Sequence, residues 1–251
     1  MRPAVVVDIG NSRMKWGRVE SGSITSTASL APDDLASWST TWATWDRPRT
    51  WALASVNPGL TERFRAWVAT HGGDVVEISD PKSVPIQLDL EEPVRVGIDR
   101  LLAALAAKRR VGAGQPVIVI SAGTAITVDL VDDDGIFRGG AILPGPWLMA
   151  RSLHDYTAKL PLLELHQISA IDPPGRNTRE AITAGVMAAQ IGACQVLVAE
   201  YGRLCRQVPQ VVMTGGSLGI LIDAHFGPEI LVSGPYPLVL EGILATVEGW
   251  S

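Results

Sequence analysis

Short apolar runs rich in Val and Ile alternate along this chain with polar turns and with longer stretches of helical period. In the first half, residues 3–8, 14–20, 24–28, 51–56 and 74–78 read as strands. Pro32-Asp33-Asp34 opens a helix that sets Leu35, Trp38, Trp42 and Trp45 on one broad face, a spacing that favours core packing. Asn57-Pro58-Gly59 reads as a turn, and residues 60–71 as an amphipathic helix closed by Gly72-Gly73. A Pro-punctuated loop over 80–93 then leads through Gly97-Ile98-Asp99-Arg100 into a helix over 101–111. The second half starts afresh with strands at 117–120 and 126–131 and a third reaching Gly139-Gly140. Residues 141–145 form an apolar segment with a rigid Pro144-Gly145 corner. Helical spacing covers 147–160, 161–177 is irregular, and a long helix spans 178–205, capped by Asn177 or Thr178. A strand at 211–213, a short helix at 218–225, a strand at 230–232 and a final helix at 237–250 complete the pattern.

Two strand ends in this pattern resemble one another. Asp8-Ile-Gly-Asn-Ser-Arg-Met-Lys15 and Ser121-Ala-Gly-Thr-Ala-Ile-Thr-Val-Asp129 are both small-residue turns between two strands. Such a tip presents free backbone N–H groups to an anion. Gly10 and Gly123 let backbone approach a phosphate, and Asn11, Ser12 and Thr124 add side-chain donors. A lone turn of this kind is ordinary hairpin chemistry, but its return with flanking strands intact points to a duplicated fold holding a nucleotide. Gly215-Gly216, after the strand at 211–213, suits the close approach of a planar nucleoside. The expected fold class is α/β, a duplicated fold of two similar halves with a nucleotide clamped between them. The boundary falls near Gly112, giving domains over 1–112 and 113–251.

Composition narrows the class further. The chain has 251 residues, 47% hydrophobic and 19% charged, as in a globular α/β protein. The net charge of −5 and the lack of a basic run argue against nucleic acid as a partner. Cys194 and Cys205 lie about 16 Å apart along one helix, too far to bridge, and read as thiols of a reducing compartment. The apolar stretch over 185–199 carries Gln190 and Gln195 and reads as a core helix, not a membrane span. A cytoplasmic location is expected, with no signal peptide. No Gly-x-x-x-x-Gly-Lys-Ser/Thr and no Gly-x-Gly-x-x-Gly is present, and the four histidines lack metal-ligand spacing. A Ser nucleophile lacks its Gly-x-Ser-x-Gly elbow.

The motifs together resemble the actin-like, sugar-kinase and Hsp70 ATPase superfamily, and within it the type III pantothenate kinases. The likeness rests on Asp8-Ile-Gly-Asn-Ser12, Pro93-Val-Arg-Val-Gly-Ile-Asp-Arg100, Ala122-Gly-Thr-Ala-Ile-Thr-Val-Asp129, Gly139-Gly-Ala-Ile-Leu-Pro-Gly145, Asn177-Thr178 and Thr214-Gly-Gly216, in the family's order. The resemblance implies two similar actin-like (ribonuclease H-like) domains, each a mixed sheet with flanking helices, with an ATP cleft between them. It implies transfer of phosphate from ATP to pantothenate, the first step toward coenzyme A. It implies that Asp8 holds Mg²⁺ through water, while Gly10, Asn11, Ser12 and Lys15 cradle phosphates. Asp99 is then the general base, Gly97 and Arg100 line the pantothenate pocket, and Gly123, Thr124, Gly215 and Gly216 contact ATP. Thr178 reaches pantothenate from the neighbouring subunit of a homodimer. Two departures stand out. Ser121 occupies the place of an Asp that helps bind a monovalent cation, K⁺ or NH₄⁺, which leaves Ser121 and Asp129 as the candidates for that site. Leu90 stands where the family often has Tyr. A second reading therefore stays open, that of a catalytically impaired, nucleotide-binding regulatory protein.

Overall fold

The computed structural model describes residues 2–163, 174–221 and 224–250. The chain divides into two compact units, Met1–Arg110 with Pro237–Ser251, and Val111–Tyr236. The observed division sits close to the expected boundary but returns the last helix to the first unit, whereas the sequence pattern assigned it to the second.

The first unit is built on β1 (Val5–Ile9), β2 (Met14–Glu20), β3 (Ser23–Leu30), β4 (Thr50–Ser55) and β5 (Asp74–Ile78), in the order β3-β2-β1-β4-β5. β1 pairs antiparallel with β2 and parallel with β4; β2–β3 is antiparallel and β4–β5 parallel. Helix α1 (Leu35–Thr44) is capped by Asp34, whose carboxylate accepts the Ser37 N–H at 3.0 Å. Helix α2 (Pro58–Thr70) begins earlier than the pattern predicts. Asn57 accepts the Leu60 N–H and Pro58 occupies the first turn, so the expected turn is in fact the cap.

α1 and α2 cover one face of this sheet with an aromatic core. Trp16 lies at its centre, 5.1 Å from Trp51, 5.7 Å from Trp67, 5.8 Å from Phe64 and 6.5 Å from Trp38, in tilted and edge-on arrangements. Helix α3 (Ile98–Val111) buries Ile98 and every residue from Leu101 to Ala107, leaving Asp99 and Arg100 partly exposed. The last helix, α6 (Leu238–Glu248), packs on β1, β2 and β4. At Gly242 its backbone comes so near α3 that a Cβ would stand 2.1 Å from the Leu102 carbonyl oxygen.

The loop between β5 and α3 carries a short strand, β6 (Gln87–Leu88), and two 3-10 turns. The second unit repeats the first plan. β7 (Val117–Ala122), β8 (Ala125–Val131) and β9 (Ile136–Pro144) form an antiparallel meander, and β10 (Gln210–Thr214) and β11 (Val232–Ser233) extend it in parallel from β7. The strand order β9-β8-β7-β10-β11 thus matches β3-β2-β1-β4-β5. β9 runs on to Pro144, so residues 141–143 are strand and not a separate segment. Leu218–Ile220 is a 3-10 turn where a helix over 218–225 was expected.

Helices α4 (Pro146–Asp155) and α5 (Thr178–Gly202) complete the unit. Asn177 caps α5: its Oδ1 accepts the Glu180 N–H at 3.0 Å, and its side-chain Nδ2 donates to the Glu180 carboxylate at 2.7 Å. α5 is not the core helix its composition suggests. Ile182, Val186, Gln190, Cys194 and Val198 are buried at four-residue spacing, while Ala181, Gly185, Ala188, Val196 and Ala199 are exposed. It is long and apolar enough to cross a membrane, with a mean hydropathy of 1.7 and 28% of that window buried. Part of the irregular segment over 161–177, with His166, lies outside the described residues.

Candidate active site

Each unit carries a polar cluster at the tip of its central strand pair. In the first unit, strand alternation sends Val5, Val7 and Ile9 into the tryptophan core and leaves Val6 and Asp8 on the opposite face. Register pairs Asp8 with Lys15 across β1–β2. Burial drives the Asp8 carboxyl up from 3.8 to about 6; Lys15 opposes that rise and the nearby Asp99 charge adds to it. The turn closes with the Gly10 N–H donating to the Arg13 carbonyl at 3.1 Å, which leaves Asn11 and Ser12 exposed at its tip.

Asp99 stands in the first turn of α3, where a carboxylate gains from the helix dipole. Its Oδ1 accepts the Arg100 N–H at 2.9 Å. The Gly97 carbonyl accepts the same N–H at 3.1 Å. Gly97 has a reason within the chain: a Cβ there would lie 2.6 Å from Asp99 Oδ1 and push the carboxylate aside. The predicted Asp8, Gly10, Asn11, Ser12, Lys15, Gly97, Asp99 and Arg100 therefore all belong to one unit, with Asp8 and Asp99 close enough to repel.

In the second unit, the β7–β8 turn is locked by backbone from two sides. The Gly123 N–H donates to the Ala125 carbonyl at 2.9 Å, the Gly145 N–H to Thr124 at 3.0 Å and the Ser217 N–H to Ala122 at 3.0 Å. Gly215 has φ +112°, and a Cβ on it would lie 2.1 Å from the Ala122 oxygen. A Cβ on Gly145 would lie 2.4 Å from the Thr124 oxygen. The second turn and the Gly215-Gly216 segment are thus neighbours. The buttressing Gly145 was legible only as a corner. Gly123 differs, since a Cβ there would meet nothing nearer than 3.7 Å.

Ser121 pairs with Thr127 one step before the tip, the register position that Asp8 and Lys15 hold in the first unit. A carboxylate–ammonium pair in one hairpin is a pair of hydroxyls in the other, and the buried Thr127 hydroxyl has no hydrogen-bond partner among the described residues. Asp129, opposite Val119, shares the face of Ser121 two pairs deeper and is 1% exposed. Its carboxylate fits because position 140 is Gly, where a Cβ would come within 2.5 Å of Asp129 Oδ1.

Thr178 is not part of this cluster. It opens α5, about 18 Å along the axis from Gln190, which touches the Pro144 carbonyl behind the turn. Thr178 instead lines a cavity between α4 and α5 with Met149, Leu153, Asn177 and Ile182. Among the described residues no three His, Cys, Asp or Glu side chains gather to hold a metal. His71 and His154 sit at helix ends, bonded to the Trp67 and Leu160 carbonyls. Burial pushes both thiols up to about 11.

Two units with one strand order, each with a polar turn at the tip of its first hairpin, define the actin-like ATPase and sugar-kinase class of fold. Solved structures agree. A conserved Baf family protein from Campylobacter jejuni superposes with TM-score 0.64 at 18% identity, covering 98% of each chain. The activator of 2-hydroxyisocaproyl-CoA dehydratase from Clostridium difficile, with bound ADPNP, follows at 0.54 and 13%, covering 98% of this chain and 96% of that one. Within the class, the family model of type III pantothenate kinase matches residues 4–200, and the chain belongs to that family. Curated relatives include type III pantothenate kinases of Polaromonas sp., 32% identical over 85% of this chain and 86% of that one. The Persephonella marina relative is 30% identical over 92% and 96%. The Rhodopirellula baltica relative is 44% identical over 68% of this chain and 63% of its own length.

Proposed function

We propose that this protein phosphorylates pantothenate to 4′-phosphopantothenate at the expense of ATP. The observation that carries this reading is Asp99, a carboxylate held at the start of α3 by the Arg100 N–H and given room by Gly97. Asp99 accepts the proton of the primary hydroxyl as that oxygen attacks the γ-phosphorus and the bond to the ADP oxygen breaks. Phosphoryl transfer asks chiefly for positioning and charge neutralisation, which one carboxylate and rows of N–H donors supply. Gly10, Asn11, Ser12 and Lys15 bind phosphate oxygens, as do Gly123 and Thr124, while Gly215 and Gly216 pass beneath the nucleoside. Arg100 and Gly97 face pantothenate.

Asp8 suits Mg²⁺. The ion commonly takes one or two carboxylates plus phosphate oxygens and keeps its waters, and a carboxylate raised by burial gains from a cation. Bound there, Mg²⁺ would supply charge neutralisation to the phosphates. The monovalent cation is a different matter. A serine at position 121 offers an oxygen but no charge, and Asp129 sits two pairs deeper. Turnover with weak or no dependence on K⁺ or NH₄⁺ follows from that replacement.

The working unit in this reading is a cytoplasmic homodimer that engages neither nucleic acid nor membrane. The exposed stripe of Ala181, Gly185, Ala188, Val196 and Ala199 supports close packing against a second copy of α5. It would bring Thr178 to the partner's pantothenate. Coupled phosphorylation of pantothenate with Mg-ATP, in K⁺ and in a bulky organic cation, tests the whole reading. Turnover in both salts supports it. Nucleotide binding without turnover in either salt would favour the impaired regulatory protein, for which Ser121 is the argument.

A further inference from the structure

We infer that Gln190 is a positioning residue for the second phosphate turn, acting from α5 through Pro144 and Gly145. The inference rests on the reading that this turn binds ATP. Gln190 is 2% exposed in the middle of an apolar helix. Its Nε2 donates to the Pro144 carbonyl at 3.0 Å and also touches the Met149 sulfur. Its Oε1 is buried and has no partner among the described residues.

An amide so placed is a poor structural choice. A buried, unpaired carbonyl oxygen loses its hydration and gains nothing, and an unbranched apolar side chain of similar volume would fill the same space. What the amide alone supplies is its donor, aimed at one backbone carbonyl. Pro144 ends β9 in register with Ala125, the residue after Thr124. Gly145 follows and donates to Thr124 at 3.0 Å, so close that no Cβ fits. A fixed Pro144 therefore fixes Gly145, whose N–H holds the Thr124 carbonyl and whose missing Cβ leaves room for the Gly123 carbonyl. Because a peptide is planar, holding the Thr124 carbonyl fixes the Thr124–Ala125 peptide plane, and with it the shape that the turn presents to an anion. The same helix carries the exposed small-residue stripe on its other side, so Gln190 ties the phosphate turn to the helix through which a second copy would pack.

Gln190→Met is the test, because it keeps volume and removes both the donor and the unpaired oxygen. Mg-ATP affinity, by calorimetry and as the KM for ATP, is expected to weaken about three- to tenfold, the worth of one positioned hydrogen bond. The KM for pantothenate should stay within about twofold and the melting temperature should hold or rise, since the lost oxygen was unpaired. Unchanged ATP affinity in a folded variant overturns the inference. So does a fall in melting temperature accompanied by equal loss for both substrates, which marks plain packing. Thr124→Ala measured alongside separates the two readings. If it leaves Mg-ATP binding intact, the turn is not a nucleotide site; if it weakens binding while Gln190→Met does not, only the role of Gln190 falls.

Discussion

Asp8 and Lys15 face one another across the β1–β2 register, and the ammonium does not fully offset the burial of the carboxylate, whose pKa stands at about 6. The imbalance has a stability consequence. A carboxylate raised from 3.8 to about 6 favours folding only while protonated, so its contribution is present below pH 3.8 and is lost as pH rises through 6. At pH 7.5 the ionised group then costs the ligand-free protein on the order of 2–3 kcal/mol. Asp8→Asn is expected to melt higher than the parent at pH 7.5 without ligand and to melt alike near pH 4, while losing turnover. Calorimetric melting at the two pH values checks this. A lower melting temperature at pH 7.5 would show that the charge is compensated in the folded state.

Asp99→Asn keeps the shape of the side chain and an oxygen for the Arg100 N–H, but loses the basic carboxylate. Turnover is expected to fall about 10²–10⁴-fold, with Mg-ATP affinity within twofold of the parent. Single-turnover phosphorylation and calorimetry separate the two. Turnover within a few fold of the parent would remove Asp99 as the base.

Ser121→Asp gives the second hairpin the carboxylate its first hairpin has at the same register position. The expected outcome is a new requirement for K⁺ or NH₄⁺, read as rates in those salts against a bulky organic cation. Identical rates in every salt, for parent and variant alike, would mean that position 121 does not border a cation site.

Much of the molecule was legible in its pattern because period and punctuation agree. The strand pairs flanking the two turns, the break before Val117 and the cap at Asn177 all emerge from local chemistry that tertiary packing does not override. Three features were hidden for physical reasons. The destination of α6 depends on its packing against β1 and α3, and an amphipathic helix does not declare which sheet it covers. Asn57-Pro58-Gly59 reads as a turn because cap and turn use the same residues. Gln190 in the sequence argues only against a membrane span, and the fold alone shows it reaching Pro144 across 46 residues of sequence. In the site, Asp8, Asp99 and the two turns were visible as motifs, whereas the buttress at Gly145 was not. Its task is steric, and a glycine in sequence does not say what it lies against.

The tight crossing of α3 and α6 makes a clean test of the first unit's construction. A Cβ at Gly242 would meet the Leu102 carbonyl at 2.1 Å, a contact that only backbone movement relieves. Gly242→Ala is expected to destabilise by about 1–3 kcal/mol or more despite the better helix propensity of Ala. Urea denaturation decides the sign. A neutral or stabilising result would mean that the two helices have room to separate.

The last test concerns α5 and the shared site. Ala188 is exposed on the small-residue stripe, so Ala188→Arg should cost the monomer fold little, a few tenths of a kcal/mol by propensity. If a second copy packs there, the arginine blocks close approach, and sedimentation should shift from dimer to monomer at micromolar protein. A stronger test uses two inactive variants, Asp99→Asn and Thr178→Ala, unfolded together and refolded as a mixture. If Thr178 serves the partner's pantothenate, each mixed dimer contains one site with both residues intact and one with neither. Random pairing then restores about one quarter of the parent's sites. If Thr178 serves its own subunit, every site in the mixture lacks one of the two residues and no activity returns. The Ala188→Arg form of each variant, mixed in the same way, should fail to complement even if both fold, because complementation requires the interface and not merely the presence of both chains.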